Sequence, residues 1–235
     1  ILSLFIFVTF VLSVHMNLMR QSVAVSIFFY CSTFIKERNF KKFLLFIILG
    51  AGFHYSILFL IPLYFIPNLR ISKTFFLISV IISYTLVYFK IAPILLNSIF
   101  NILPMYNHYF NHYFLFNEDV NILSFGVLAK VLFSIILIFL YRSKKKLYSL
   151  EINYYFISII FSILTISTFM FNRIGVFFDI FYVVAIPKII EGIKNNKFRH
   201  LFFIFCVCFV LMFFILDYFV NAGTNSLEYK SIFSK

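Results

Sequence analysis

Arg20, His54 and Arg173 are the side chains in this sequence best placed to do chemistry. Each stands where apolar runs meet, in a chain that is 63% hydrophobic and only 12% charged, so that most other ionisable groups read as loop charges. A guanidinium stays ionised and grips phosphate oxygens in a two-pronged fork. An imidazole, with an ordinary pKa of about 6.5, can take a proton from a hydroxyl near neutral pH. Each residue also has a plainer reading. The arginines can anchor helix ends by snorkelling to the interface, and His54 can hydrogen-bond a locally broken backbone.

The elements that must position these groups are membrane helices. A mean hydropathy of +1.03 and apolar runs of membrane-spanning length indicate an all-α, polytopic integral membrane protein. Backbone polar groups in hydrocarbon must be satisfied internally, which leaves helices or closed barrels. Runs such as 131–140 are apolar on every side, so the alternation of a barrel is absent. About eight segments are expected: 1–14, 21–35, 43–66, 74–89, 122–141, 148–171, 174–190 and 201–220. Residue 1 is Ile, inside an apolar run, so the chain reads as a single transmembrane domain over 1–235 that lacks its N-terminal helices. Cys31, Cys206 and Cys208 fall inside apolar runs and indicate neither disulfides nor a metal site. The net charge of +12 is clustered between spans, as orientation signals are, so nucleic acid is excluded as a partner and the lipid bilayer is implied.

Charge parity then constrains topology. Basic clusters at Lys36/Arg38/Lys41/Lys42, Arg142/Lys144/Lys145/Lys146 and Lys194/Lys197/Arg199 should share the cytoplasmic face. Three crossings separate the first two clusters, which would put one of them outside. Gly50-Ala51-Gly52 and Pro62 disfavour one continuous helix over 43–66. Two short helices forming a broken hairpin restore parity and carry His54 to the outer face. The rival repair, a span at 91–106, meets Pro93, Asn97, Asn101 and Pro104. The hairpin gathers Arg20, His54, Arg173, the C-terminal tail and a periplasmic loop at 90–121 on one side.

The residues that carry a resemblance come in a fixed order. Asn17-Leu-Met-Arg20-Gln21-Ser-Val-Ala24 is followed by a basic turn, by Phe53-His54-Tyr55-Ser56, and later by Arg173-Ile174-Gly175-Val176-Phe177-Phe178 with Pro187 downstream. This set resembles the EpsG/Wzy-type bacterial polysaccharide polymerases, or O-antigen polymerases, departing from their pattern at Ile57, where Ala is usual. The resemblance implies polymerisation of oligosaccharide repeat units carried on undecaprenyl pyrophosphate, at the periplasmic face of the bacterial inner membrane, for O-antigen or capsule. It implies catalytic roles for His54, Arg20 and Arg173, and contacts to substrate from Asn17, Gln21 and Ser56. It implies no cofactor and no metal, and it leaves room for a chain-length regulator protein as partner. Pyrophosphate is a good leaving group, so the paired carboxylates of a glycosidase are not required. That suits a chain with eight acidic residues.

Further residues complete the expectations. Asp179, in the span after Arg173, either lines the cavity or pairs with a basic group. Lys130, mid-span, costs about 2.5–3.5 kcal/mol to insert and must find a partner or a wet path. Asp217 reads as interfacial. The tandem Asn107-His-Tyr-Phe110 and Asn111-His-Tyr-Phe114 suggests an interfacial helix in the outer loop, and the resemblance implies that this loop borders the glycan cavity, with Tyr109 and Tyr113 stacking on sugars. His108 and His112 would share a helix face, but no third ligand has a fixed spacing. Two other functions fit cationic groups in a cavity: a lipid-linked oligosaccharide flippase or transporter, and an O-antigen ligase. A flippase usually shows internal repeats, and none is evident here.

Overall fold

The computed structural model describes residues 1–66, 71–92, 94, 124–140, 149–168, 170–193 and 195–216. Tyr109, Tyr113, the tandem motif, Asp217 and most of the 90–121 loop lie outside these residues. The described chain is helical throughout, with no strand. It begins with α1 (Leu2–Ile6), a π-helical turn (Phe7–Val11) and α2 (Leu12–Asn17), then α3 (Met19–Lys36) and α4 (Phe40–Ala51). A 3-10 helix (Tyr55–Phe65) and α5 (Lys73–Tyr88) follow. The second half holds α6 (Phe125–Leu140), α7 (Leu150–Leu164), α8 (Met170–Asp179), α9 (Tyr182–Glu191) and α10 (Asn196–Ile215).

Among the described residues, α10 alone is long and apolar enough to cross a bilayer by itself, and five further apolar helices are 10–17 residues long. This is an all-α helical membrane protein. Its centre is α7, which buries residues on every side of its axis. On one flank α7 joins a core with α3, α4, the 3-10 helix and α8. On the other it joins α1, α5, α6, α9 and α10.

Contacts between rings set the register. Tyr30 and Phe34 of α3 meet Phe46 of α4 at 5.1 and 5.4 Å, so α3 and α4 run antiparallel. Their turn is closed by Arg38 at φ 58 and by Asn39, whose side chain accepts from Lys42 N at 3.1 Å. Tyr154 of α7 lies 4.8 Å from Phe181 while Phe161 stacks on Phe178 at 5.6 Å, so α7 opposes α8 and α9. Gly175 permits that approach, since a Cβ there would sit 3.1 Å from Phe161 Cβ. At the basic end, Lys36 and Lys188 both engage Glu151, the latter at 3.1 Å. This junction ties α3, α7 and α9 together.

The broken hairpin is present. Phe40 and Phe43 at the start of α4 pack on Tyr64 at the end of the 3-10 helix, at 4.9 and 5.3 Å. The chain therefore reverses at 52–54, with the amides of Phe53 and His54 both donating to Gly50 O at 3.0 Å. The returning arm is a 3-10 helix. An α-helical arm would drive the Pro62 ring against the carbonyl of Leu58, which the tighter helix avoids. Near the apex, a Cβ on Gly50 would fall 2.5 Å from Ile57 Cδ1, and Ile57 is fully buried. Gly50→Val is accordingly expected to destabilise the hairpin by about 1–3 kcal/mol. Thermal unfolding in detergent should show this, with partial recovery when Ile57 is also cut to Ala.

Two sequence boundaries change. The run 148–171 ends its helix at Leu164, and α8 begins at Met170, so Arg173 lies within a helix and not between spans. The run 174–190 is broken at Ile180 and Phe181 into α8 and α9. The first break falls at Thr165, Ser167 and Thr168 and the second just after Asp179, polar residues that mark both places within otherwise apolar runs.

Candidate active site

The antiparallel register places the N-terminus of α3, the hairpin apex and the start of α8 at one end of the bundle, opposite the Glu151 junction and its lysines. Arg20 opens α3 and is exposed. Its neighbour Gln21 turns inward and is 2% exposed. The Gln21 side-chain amide donates from Nε2 to the carbonyl of Arg173 at 2.6 Å. That contact bridges α3 and α8 across most of the chain length. Gln21 Oε1 is buried with no protein partner.

His54 stands in the link between α4 and the 3-10 helix, outside both, in extended backbone with φ −153 and ψ 113. It is half-buried, and the Arg173 charge acts on it. Loss of solvent first, and the nearby guanidinium second, hold its pKa below the usual 6.5. Neutral imidazole is the form that can accept a proton. Ser56, two residues on, has a buried hydroxyl with no protein partner.

Of the residues singled out from sequence, the structure brings Gln21, His54 and Arg173 together. Arg20 shares their end of the bundle but is open to the surroundings. Asn17 closes α2 just before this end. Asp179 stands apart from the group, at the far end of α8, where Ser158 of α7 donates to its carboxylate. Tyr109 and Tyr113 lie outside the described residues. Among the described residues no group of three or more His, Cys, Asp or Glu side chains could hold a metal.

Sequence reading passed over His15. Its Nδ1 lies 3.0 Å from Ser22 Oγ, beside the α2–α3 break, and its Nε2 is buried without a protein partner. A histidine two residues before Asn17, at the end of an apolar run, was the available signal. Glu151 was also missed; a lone carboxylate opening an apolar run beside a basic cluster marks such a junction.

No curated protein and no solved structure matches the chain. The match to the EpsG family runs over residues 1–231 and so takes in α3, the hairpin and α8 in their order. With the family covering nearly its whole length, this chain belongs to the EpsG family.

Proposed function

We propose that this protein polymerises oligosaccharide repeat units carried on undecaprenyl pyrophosphate, at the periplasmic face of the bacterial inner membrane. Family membership supports a polysaccharide-polymerase role in general. The observation that carries the finer reading is the convergence of Arg173 and His54 at the end of the bundle away from the clusters at Lys36/Arg38/Lys41/Lys42 and Lys197/Arg199. By the positive-inside rule those clusters face the cytoplasm, so the pair faces the periplasm.

In the proposed step an acceptor hydroxyl attacks the anomeric carbon of the donor sugar. A new glycosidic C–O bond forms as the bond from that carbon to the pyrophosphate oxygen breaks. The leaving lipid pyrophosphate takes the electron pair, and Arg173, with Arg20 at the rim, stabilises its charge. The hydroxyl proton passes to Nδ1 or Nε2 of His54. Gln21 and Ser56 offer buried polar atoms for sugar hydroxyls, and Tyr109 and Tyr113 flat faces for sugar rings. Arginine supplies the positive charge, so no metal is invoked.

Deletion of the gene discriminates among the possible functions. Loss of a polymerase leaves lipopolysaccharide, or the equivalent carrier, capped with a single repeat; loss of a flippase or ligase leaves none. A product with no repeat at all would sink the polymerase reading.

The position of His54 also sets a pH dependence. Its protonated form is disfavoured by burial and by Arg173, so activity should hold as pH falls and be lost only as pH drops through a value below 6.5. Removing the guanidinium with Arg173→Met should move that acid limb upward, which residual-rate profiles in membrane vesicles can measure.

A further inference from the structure

His15 has no part in the step above, yet its ring is held in one chemical form. It sits near the end of α2, beside the break at Leu18, where φ is −120 and ψ is 47. Ser22, in the first turn of α3, faces it across that break. The Ser22 hydroxyl lies 2.7 Å from the carbonyl of His15 and 2.9 Å from that of Leu18. A hydroxyl has one hydrogen to give, and these carbonyls take it. The third contact, 3.0 Å from Ser22 Oγ to His15 Nδ1, therefore draws its hydrogen from the ring. With the proton on Nδ1, neutral imidazole keeps a bare lone pair at Nε2.

Nε2 is buried, and no donor among the described residues reaches it. A buried acceptor left unmade is costly, so this one calls for a donor from outside the protein. Gln21 Oε1 and Ser56 Oγ, at the same end of the bundle, share that condition. The first turn of α3 carries both contacts, to His15 through Ser22 and to the Arg173 carbonyl through Gln21. The class of donor follows from the substrate's chemistry. Ionised diphosphate oxygens only accept hydrogen bonds and cannot fill Nε2. Hydroxyl and amide N–H groups of a glycan can.

We propose that His15, held by Ser22, is a substrate-positioning residue whose Nε2 accepts a hydrogen bond from a glycan hydroxyl or amide N–H of the lipid-linked repeat unit. The inference takes its ligand from the polymerase reading above, and its test reads binding and not turnover.

Equilibrium binding to the purified full chain in nanodiscs uses two probes. One is undecaprenyl pyrophosphate carrying the repeat unit of the protein's own polysaccharide locus; the other is bare undecaprenyl pyrophosphate. An asparagine amide reaches the place of Nδ1, and a glutamine amide that of Nε2. His15→Asn can keep the Ser22 contact but has no atom at Nε2. It should bind the glycan-bearing probe about tenfold more weakly, with the bare probe unchanged. His15→Gln and His15→Met are alike in length and both give up the Ser22 contact, but glutamine alone offers an acceptor. The methionine variant should bind the glycan-bearing probe about tenfold more weakly than the glutamine variant. Parent-strength binding by His15→Asn overturns the proposal. So does equal binding by the glutamine and methionine variants, a comparison that holds even where His15→Asn fails to fold. An equal loss on both probes also overturns it, because Nε2 would then serve the diphosphate or the lipid. The expected pattern in a protein that builds no ladder upholds the role of His15 and overturns the polymerase reading instead.

Discussion

Arg173→Ala is expected to lower polymer formation by about a hundredfold to a thousandfold, with the protein still inserted in the membrane. The loss follows from where the charge is needed. In the proposed step the pyrophosphate, already anionic, gains further negative charge as the glycosidic bond opens, so a preorganised cation acts on the rate as well as on binding. The backbone there should survive the change, because Gln21 holds the Arg173 carbonyl and not its side chain. Arg173→Lys keeps the charge but loses the planar fork, and should recover only part of the rate, remaining about tenfold below the parent. Quantifying ladder intensity per unit of membrane-inserted protein measures both variants. Full activity in the lysine variant would remove the two-pronged contact from the mechanism.

His54→Ala should cost about a hundredfold to ten-thousandfold, the range of general base catalysis. His54→Gln is the sharper variant. Glutamine can hydrogen-bond the acceptor and the local backbone, yet cannot take up a proton. If His54 only supported the reversal of the hairpin, the glutamine variant would be active and the alanine variant unstable. If His54 is the base, both are inactive while thermal unfolding of the glutamine variant stays near the parent. The hairpin gives this distinction its force, since the His54 amide already donates to Gly50 O without help from the side chain.

Much of this arrangement was legible in the sequence, for identifiable reasons. The hairpin followed from a conflict between charge parity and an apolar run, with Gly50-Ala51-Gly52 marking where the chain must turn. The grouping of His54 with Arg173 followed from the same counting of crossings. The 3-10 character of the returning arm did not, because hydropathy is blind to the difference between helix types. Nor did the break at Ile180 and Phe181, although Asp179 stands just before it. Lys130 could be read as needing a partner, but its neighbours Phe10 and Phe213 come from the first turns of the chain and from α10, distances along the sequence that no local pattern encodes. Gln21 was picked out by its place beside Arg20, whereas its bond to the Arg173 carbonyl is a tertiary contact visible only once α3 and α8 are side by side. Family membership covers the order of these motifs, and the structure adds which of them meet.

Reconstitution asks the question most directly. The purified protein would be placed in liposomes with an undecaprenyl-pyrophosphate-linked repeat unit of its own polysaccharide locus, with chelator present and no other protein. A ladder of lengthening glycans on the lipid, absent with Arg173→Ala and with His54→Gln, is the expected result. A ladder that persists undiminished in both variants, or transport of the lipid-linked unit without any lengthening, would contradict it.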